Sequence, residues 1–266
     1  MIALDKNALD IKNERAVFSL LSQVKPKFLV NCAGWTDVNG AEKFPAEANL
    51  VNAISLIGIT KACVNLGIKL IHISTDYVFS GESNNPYGVD SERIPVNKYG
   101  NSKLAGEVVI ESTNKLEYWI LRSSWLYGNS NNDFISKLLN KYRINEDPIL
   151  VVNDQIGHPT YVFDLAKKII EVINIEPEFG TYHASNSDAT SWFKFAQAAF
   201  QLLDLDYSRI LPVKYFELGL NTNRPSKVIL DLSKLESVGL TPMRNWSLAL
   251  NDCLKRGKLY NENYTT

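Results

Sequence analysis

Residues 69–74 read KLIHIS, a short apolar run that ends on a small polar residue. A run of this length with β-branched residues predicts a strand buried on both faces. Two further stretches have the same form: KFLVNCA at 27–33 upstream and YWILRS at 118–123 downstream. Helical periodicity fills the intervals. ERAVFSLLSQV (14–24) reads as an amphipathic helix, residues 42–66 as one long apolar helix, and residues 99–112 as another. Residues 80–98, rich in Gly, Asn, Ser and Pro, read as an exposed loop. A strand at 148–152 and a helix at 161–174 continue the alternation. Apolar strands alternating with helices predict a doubly wound, Rossmann-like parallel sheet covered on both faces. Ligands bind such sheets at the carboxyl ends of the strands. Here those ends are Asn31–Gly34, Ser74–Tyr77 and Ser123–Trp125.

The last third is different, with aromatics and prolines among shorter elements: TYHAS at 181–185, a helix near 191–203, NRPSK at 223–227 and a helix from Trp246. The expected division is a nucleotide-binding α/β domain over 1–150 and a small substrate-binding lobe over 151–266, with some elements returning to the main sheet.

Composition narrows the function. The chain has 266 residues, 45% hydrophobic and 21% charged, with 28 basic and 29 acidic side chains and a net charge of −1. That balance excludes disordered and collagen-like classes and offers no global basic field for nucleic acid. No uninterrupted apolar run suggests a membrane span. The first 15 residues lack the apolar core of a secretory signal, so a cytoplasmic location is expected. Cys32, Cys63 and Cys253 are odd in number and sit at no metal or redox spacing, as do the scattered His72, His158 and His183. Reduced, mostly buried thiols and no metal are expected.

The chemistry concentrates in Tyr99-Gly-Asn-Ser-Lys103. A spacing of four places both side chains on one helical face. An ammonium beside a phenol favours the phenolate, so such a pair can act as a general acid or base on an alcohol or ketone. The helix follows the loop that returns from Ser74-Thr75-Asp76-Tyr77-Val78-Phe79, so a Thr75 hydroxyl can serve the oxygen that Tyr99 protonates.

With NCAGWTDVNGAE (31–42), STDYVF (74–79), YGNSKLAGE (99–107), LRSSWLYG (121–128), VNDQIGHPT (152–160), GTYHAS (180–185), SWFKFA (191–196) and NRPSKVILD (223–231) in order, the chain resembles the extended short-chain dehydrogenase/reductases. Within them it is most similar to the dTDP-4-dehydrorhamnose reductase family. The resemblance implies NADPH- or NADH-dependent reduction of the C4 ketone of dTDP-4-dehydro-L-rhamnose. Tyr99 would be the proton donor. Lys103 would lower its pKa and hold the nicotinamide ribose, and Thr75 would polarise the ketone. Asp10 and Ile11 would contact the adenine side, and Ala33, Gly34, Trp35 and Ile73 would line the cofactor. Thr75, Asp76, Trp125, Gln155 and Arg224 would line the dTDP-sugar site, Arg224 pairing with the diphosphate. The number of subunits stays open, a homodimer included.

One departure stands out. A dinucleotide fold opens on strand, glycine-rich turn and helix, yet the first of 14 glycines is Gly34 and no GxGxxG or GxxGxxG occurs. The fold is therefore expected to be N-terminally truncated, without a phosphate-binding loop and with impaired activity. An upstream start, a true truncation, or a non-catalytic sugar-nucleotide-binding or regulatory relative would each account for this. A sugar-nucleotide epimerase shares Tyr99 and Lys103 but leaves DQIGHPT unexplained.

Overall fold

A computed structural model describes residues 1–128, 133–144 and 146–256. The expected first helix is α1 (Glu14–Val24). Asn13 caps it by accepting from the Ala16 N–H, Val17 and Leu21 form its buried stripe, and it ends at Lys25 in a left-handed conformation. β1 (Phe28–Asn31), β2 (Lys69–Thr75), β3 (Tyr118–Ser123) and β8 (Gly180–His183) pair in that order, all parallel, as the main sheet among the described residues. Alternation along β2 and β3 sorts the two faces. Leu70 and Ile120 join a core with α1 and α4 (Ser55–Leu66), whereas Ile71, Trp119 and Leu121 join one with α7 (Val162–Ile175) and α9 (Ser233–Ser237). The sheet is thus buried on both faces, which is why its strands read as continuous apolar runs.

Three expectations are corrected. The long helix over 42–66 is broken into α2 (Val38–Lys43), α3 (Pro45–Asn49), a π-helical turn (Leu50–Ile54) and α4. Pro45 sits at the first position of α3, where its missing N–H costs nothing and the preceding helix has to stop. The helical run Pro45–Leu66 is long and apolar enough, by length and composition, to cross a membrane, but half of its most apolar window is buried within the protein. The strand at 148–152 is β5 (Ile149–Val152), which pairs with β10 (Ile210–Val213) and not with the main sheet. The loop over 80–98 is anchored: Tyr87 is buried and its hydroxyl accepts from the N–H groups of Gly81, Glu82 and Ser83.

A second core lies around β5 and β10. It gathers residues of α6 (Phe134–Ile144), α8 (Trp192–Leu202) and α10 (Trp246–Arg256), with Phe195 and Phe200 at its centre. Short pairs complete the part that follows β3: β4 (Leu126–Tyr127) with β7 (Thr160–Tyr161), and β6 (Ile156–Gly157) with β9 (Thr190–Ser191). The helix that carries Tyr99, α5 (Lys98–Ser112), presses directly on the π-helical turn. A Cβ on Gly106 would lie 2.1 Å from the Asn52 carbonyl oxygen, so only glycine permits this approach.

Candidate active site

β2 ends at Thr75, where the chain turns through a single 3-10 turn, Asp76–Val78. The Thr75 hydroxyl oxygen accepts from the Tyr77 N–H at 3.2 Å and the hydroxyl approaches Asp76 Oδ1 at 3.2 Å. Opposite, Asn97 caps α5 by accepting from the Gly100 N–H, which fixes the start of the helix and hence Tyr99. The Thr75 hydroxyl lies close enough to the Tyr99 phenol to favour its ionised form, and the Tyr99 ring meets Tyr77 edge-on with centroids 5.5 Å apart. Lys103, one turn further, is buried. Its Nζ donates to the Ile73 carbonyl at 2.7 Å and lies 3.2 Å from His72 Nε2. The structure therefore brings Ile73, Thr75, Asp76, Tyr99 and Lys103 together where β2 meets α5.

Burial dominates the electrostatics. It pushes the Tyr99 phenol well above its usual range, against the Thr75 hydroxyl and with the Asp76 charge adding to the rise. Lys103 is lowered to about 8 by burial, against the opposite charges of Glu107 and Cys32. Asp76 rises to about 6 by burial, although Ser124 donates to it at 2.6 Å. In this arrangement the Lys103 amine lies against the Ile73 carbonyl and His72 Nε2.

Behind the site lies a buried charge cluster. Glu107 is fully buried and accepts from Arg122 Nη2 at 2.8 Å, from Arg122 Nε at 3.0 Å, from Ser74 Oγ at 2.5 Å and from Arg93 at 2.8 Å. Burial would raise this carboxyl, but its hydrogen bonds and the Arg122 charge hold it below the usual range. Glu107 thus ties the last turns of β2 and β3 to α5.

The loop after β1 forms one wall. Asn52, on the π-helical turn, accepts from the Trp35 N–H at 2.8 Å and donates to the Trp35 carbonyl and to Ser102. Ala33 donates its N–H to Asn31 Oδ1 at 3.1 Å. A Cβ on Gly34 would lie 3.1 Å from Asn52 Oδ1 and 4.0 Å from Lys103 Nζ. Ala33, Gly34 and Trp35 are thereby tied to the Lys103 side of the site. Cys32, next to them, is exposed, whereas Cys63 and Cys253 are buried. Asp10 and Ile11 lie before α1: Asp10 accepts from the Lys12 N–H and pairs with its amine, and Ile11 packs on the α1–α4 core. No hydrogen bond or ion pair among the described residues joins them to the Tyr99 cluster.

Trp125 holds a left-handed backbone with φ of 45° and stacks face to face on Trp192, centroids 3.7 Å apart. Gln155 is buried with its Nε2 unpartnered, and the Nε of Arg224 likewise finds no acceptor. Arg224 reaches the Tyr77 hydroxyl and Asn39 Oδ1, each at 3.3 Å, so it bridges the turn after β2 and α2. Asn31, Asn52, His72 and Glu107 are the residues that motif reading missed. For Asn31, Asn52 and His72 the signal was present, since each is a polar side chain in a mostly apolar element and such groups are buried only with partners; Glu107, in a helix of mixed polarity, carried no such signal.

A parallel sheet with a Tyr and a Lys one helical turn apart facing the Thr-bearing end of a neighbouring strand is the arrangement of a short-chain dehydrogenase/reductase of the extended type. Comparison with known proteins is more specific. Residues 1–259 match the family described as the RmlD substrate binding domain. A dTDP-4-dehydrorhamnose reductase of Streptomyces griseus is 36% identical over 94% of this chain and 83% of its own length. The spore coat polysaccharide biosynthesis protein SpsK of Bacillus subtilis is 37% identical over 96% and 88%. Among solved structures, a dTDP-4-dehydrorhamnose reductase of Bacillus anthracis in complex with NADP superposes with a TM-score of 0.88 at 36% identity, covering 95% of this chain and 88% of that one. That of Clostridium acetobutylicum gives a TM-score of 0.90 at 33% identity, covering 96% and 89%. The chain belongs to the dTDP-4-dehydrorhamnose reductase family.

Proposed function

We propose that this protein is an NAD(P)H-dependent reductase that converts the C4 ketone of dTDP-4-dehydro-L-rhamnose to the alcohol of dTDP-L-rhamnose, in the cytoplasm. The observation that carries the reading is the meeting of Thr75, Tyr99 and Lys103 where β2 ends against α5. The nicotinamide end of the cofactor fits the residues present: Gly34 leaves open the space that a Cβ would take beside Asn52 and Lys103. Lys103, Ile73 and the Ala33–Trp35 loop would hold that end, with Asp10 and Ile11 toward the adenine. Bound NAD(P)H supplies the hydride that reduces C4.

The chain's own residues handle the proton. Tyr99 gives its phenolic proton to the ketone oxygen as negative charge develops there. Thr75 turns its hydroxyl to the same oxygen and donates a second hydrogen bond, which stabilises that charge. A charged Lys103 stabilises the phenolate left behind, offsetting the burial that otherwise makes it costly. Asp76, Trp125 and Gln155 line the sugar side, where the free Gln155 Nε2 is available to a sugar hydroxyl. Arg224 offers its unpaired Nε, and fork geometry, to the diphosphate. The part of the chain from 151 onward serves mainly as the substrate lobe, with β8, α7 and α9 returning to the main sheet.

The dTDP-sugar site is the part of this reading that Gln155 and Arg224 support most directly, through their unpartnered nitrogens. Calorimetry with dTDP-rhamnose and with NADPH tests the reading. Sugar-nucleotide binding that Arg224→Ala weakens about tenfold or more, matching the loss of a charge-assisted pair, supports it. No dTDP-rhamnose binding, or binding indifferent to Arg224, refutes it.

A further inference from the structure

His72 is buried between two hydrogen-bond donors. On one side Asn31 Nδ2 lies 3.0 Å from its Nδ1; on the other Lys103 Nζ lies 3.2 Å from its Nε2. A neutral imidazole carries one N–H and one lone pair, so it can accept from only one of them. Asn31 has little freedom, because its Oδ1 already accepts from the Ala33 N–H at 3.1 Å. Turning the Asn31 amide over only moves the conflict, since Nδ2 would then face the Ala33 N–H. With Asn31 as it stands, Nδ1 accepts and the ring proton sits on Nε2. The group that receives that proton is Lys103 Nζ, which can accept only as a neutral amine.

We infer that His72, backed by Asn31, is a positioning residue that couples the charge of Lys103 to the Ala33–Trp35 loop. In the arrangement seen, His72 Nε2–H donates to an uncharged Lys103, and Asn31 holds the Ala33 N–H. When one proton is taken up from solvent, Lys103 becomes an ammonium and donates to Nε2. The ring proton then resides on Nδ1, and Asn31 has to turn its oxygen to it and release Ala33. No bond other than N–H is made or broken, and the net change is one proton.

The groups acting on this chain are few. His72 faces Lys103 and Asn31, and burial together with the Lys103 charge keeps its ring from ionising. Lys103 faces Ile73 O and His72 from β2, Glu107 from its own helix and Cys32 from the end of β1. The other two histidines provide an internal contrast. His158 Nδ1 faces the Asn186 carbonyl and its Nε2 accepts from the Leu230 N–H. His183 Nδ1 faces the Asp231 carbonyl, with Arg122 toward its Nε2. Both must carry their proton on Nδ1, the opposite tautomer to His72.

The consequence for reduction rests on the role proposed for Lys103, but the protonation pattern does not, so a nitrogen spectrum separates the two. The test is a long-range ¹H–¹⁵N spectrum of the labelled full chain, which distinguishes Nδ1–H from Nε2–H rings, recorded on both sides of the pH near 8 to which burial brings Lys103. Expected are Nδ1–H for His158 and His183 throughout, and for His72 a change from Nε2–H above that pH to Nδ1–H below it. Asn31→Asp offers acceptors to both Ala33 and Nδ1–H, so it should hold His72 as Nδ1–H at every pH. His72 as Nδ1–H at both pH values in the parent overturns the inference, as does Nε2–H at both or an imidazolium. If the parent behaves as expected but a folded Asn31→Asp still shows Nε2–H, Asn31 does not set the tautomer and the coupling to the loop is overturned.

Discussion

Replacing Glu107 by Gln should destabilise the protein far more than the loss of one oxygen suggests. The carboxylate is fully buried, and Arg122, 1% exposed, depends on it through Nε and Nη2. Hydrogen bonds to charged groups are each worth about 1.5–3 kcal/mol. Gln keeps one acceptor but turns an NH₂ toward a guanidinium that has no route to water. Breaking one partner of a buried ion pair typically costs about 3–5 kcal/mol, most of it from the charge left behind. With a urea m-value of about 2–3 kcal/mol/M, a loss near 4 kcal/mol moves the midpoint down by roughly 1.3–2 M. Urea unfolding followed by tryptophan fluorescence reads this directly. Glu107→Leu with Arg122→Leu should recover most of the loss, since no buried charge is then stranded. The sign with pH is also determined. The Glu107 carboxyl is held below its usual range, so its contribution is complete above the ordinary glutamate value of about 4.3. It is lost as the pH falls through the lower folded value, and parent and variant converge there. A midpoint shift under about 0.5 M, or a double variant no better than the single, would refute the reasoning.

Two further outcomes follow from the site. Burial raises Asp76 from 3.8 to about 6, so the folded state favours its neutral form. The cost of burying its charge is absent below the unfolded value and complete above the folded one, at about 1.4 kcal/mol per pH unit of difference, or about 3 kcal/mol. Asp76→Asn should therefore stabilise the protein at alkaline pH and give no gain in acid, while weakening dTDP-rhamnose binding; equal stability shifts at both pH values in thermal melts would count against it. Gly106→Ala would press a methyl within 2.1 Å of the Asn52 carbonyl, an overpacking worth about 1–3 kcal/mol; a denaturation midpoint unchanged from the parent would show that α5 can move away.

What could be read from the sequence depended on distance along the chain. Leu70 and Ile71 announce a strand buried on both faces, and Tyr99 with Lys103 announces its helix, because both signals lie within one element. The partners of those residues do not. Glu107 meets Ser74 across 33 positions and Asn52 meets Ser102 across 50, and no local periodicity encodes such pairs. β5 reads the same whether it joins the main sheet or β10, since an apolar run records burial and not its neighbour. Apolarity alone made 42–66 read as one helix, although Pro45 starts a new one, and no local pattern marks the π-helical turn that places Asn52. The role expected of Lys103 toward Tyr99 also met a local surprise: His72 and Ile73 take its amine in this arrangement.

The most direct test of the central claim is product formation from dTDP-4-dehydro-L-rhamnose at high NADPH, parent beside Tyr99→Phe. The phenylalanine keeps the ring and removes the proton, and general acid catalysis contributes about 10²–10⁴-fold. The account predicts dTDP-L-rhamnose from the parent and a fall of that order in the variant, with sugar-nucleotide binding unchanged. No product from the parent while it binds both ligands, or equal rates from the two proteins, would contradict it.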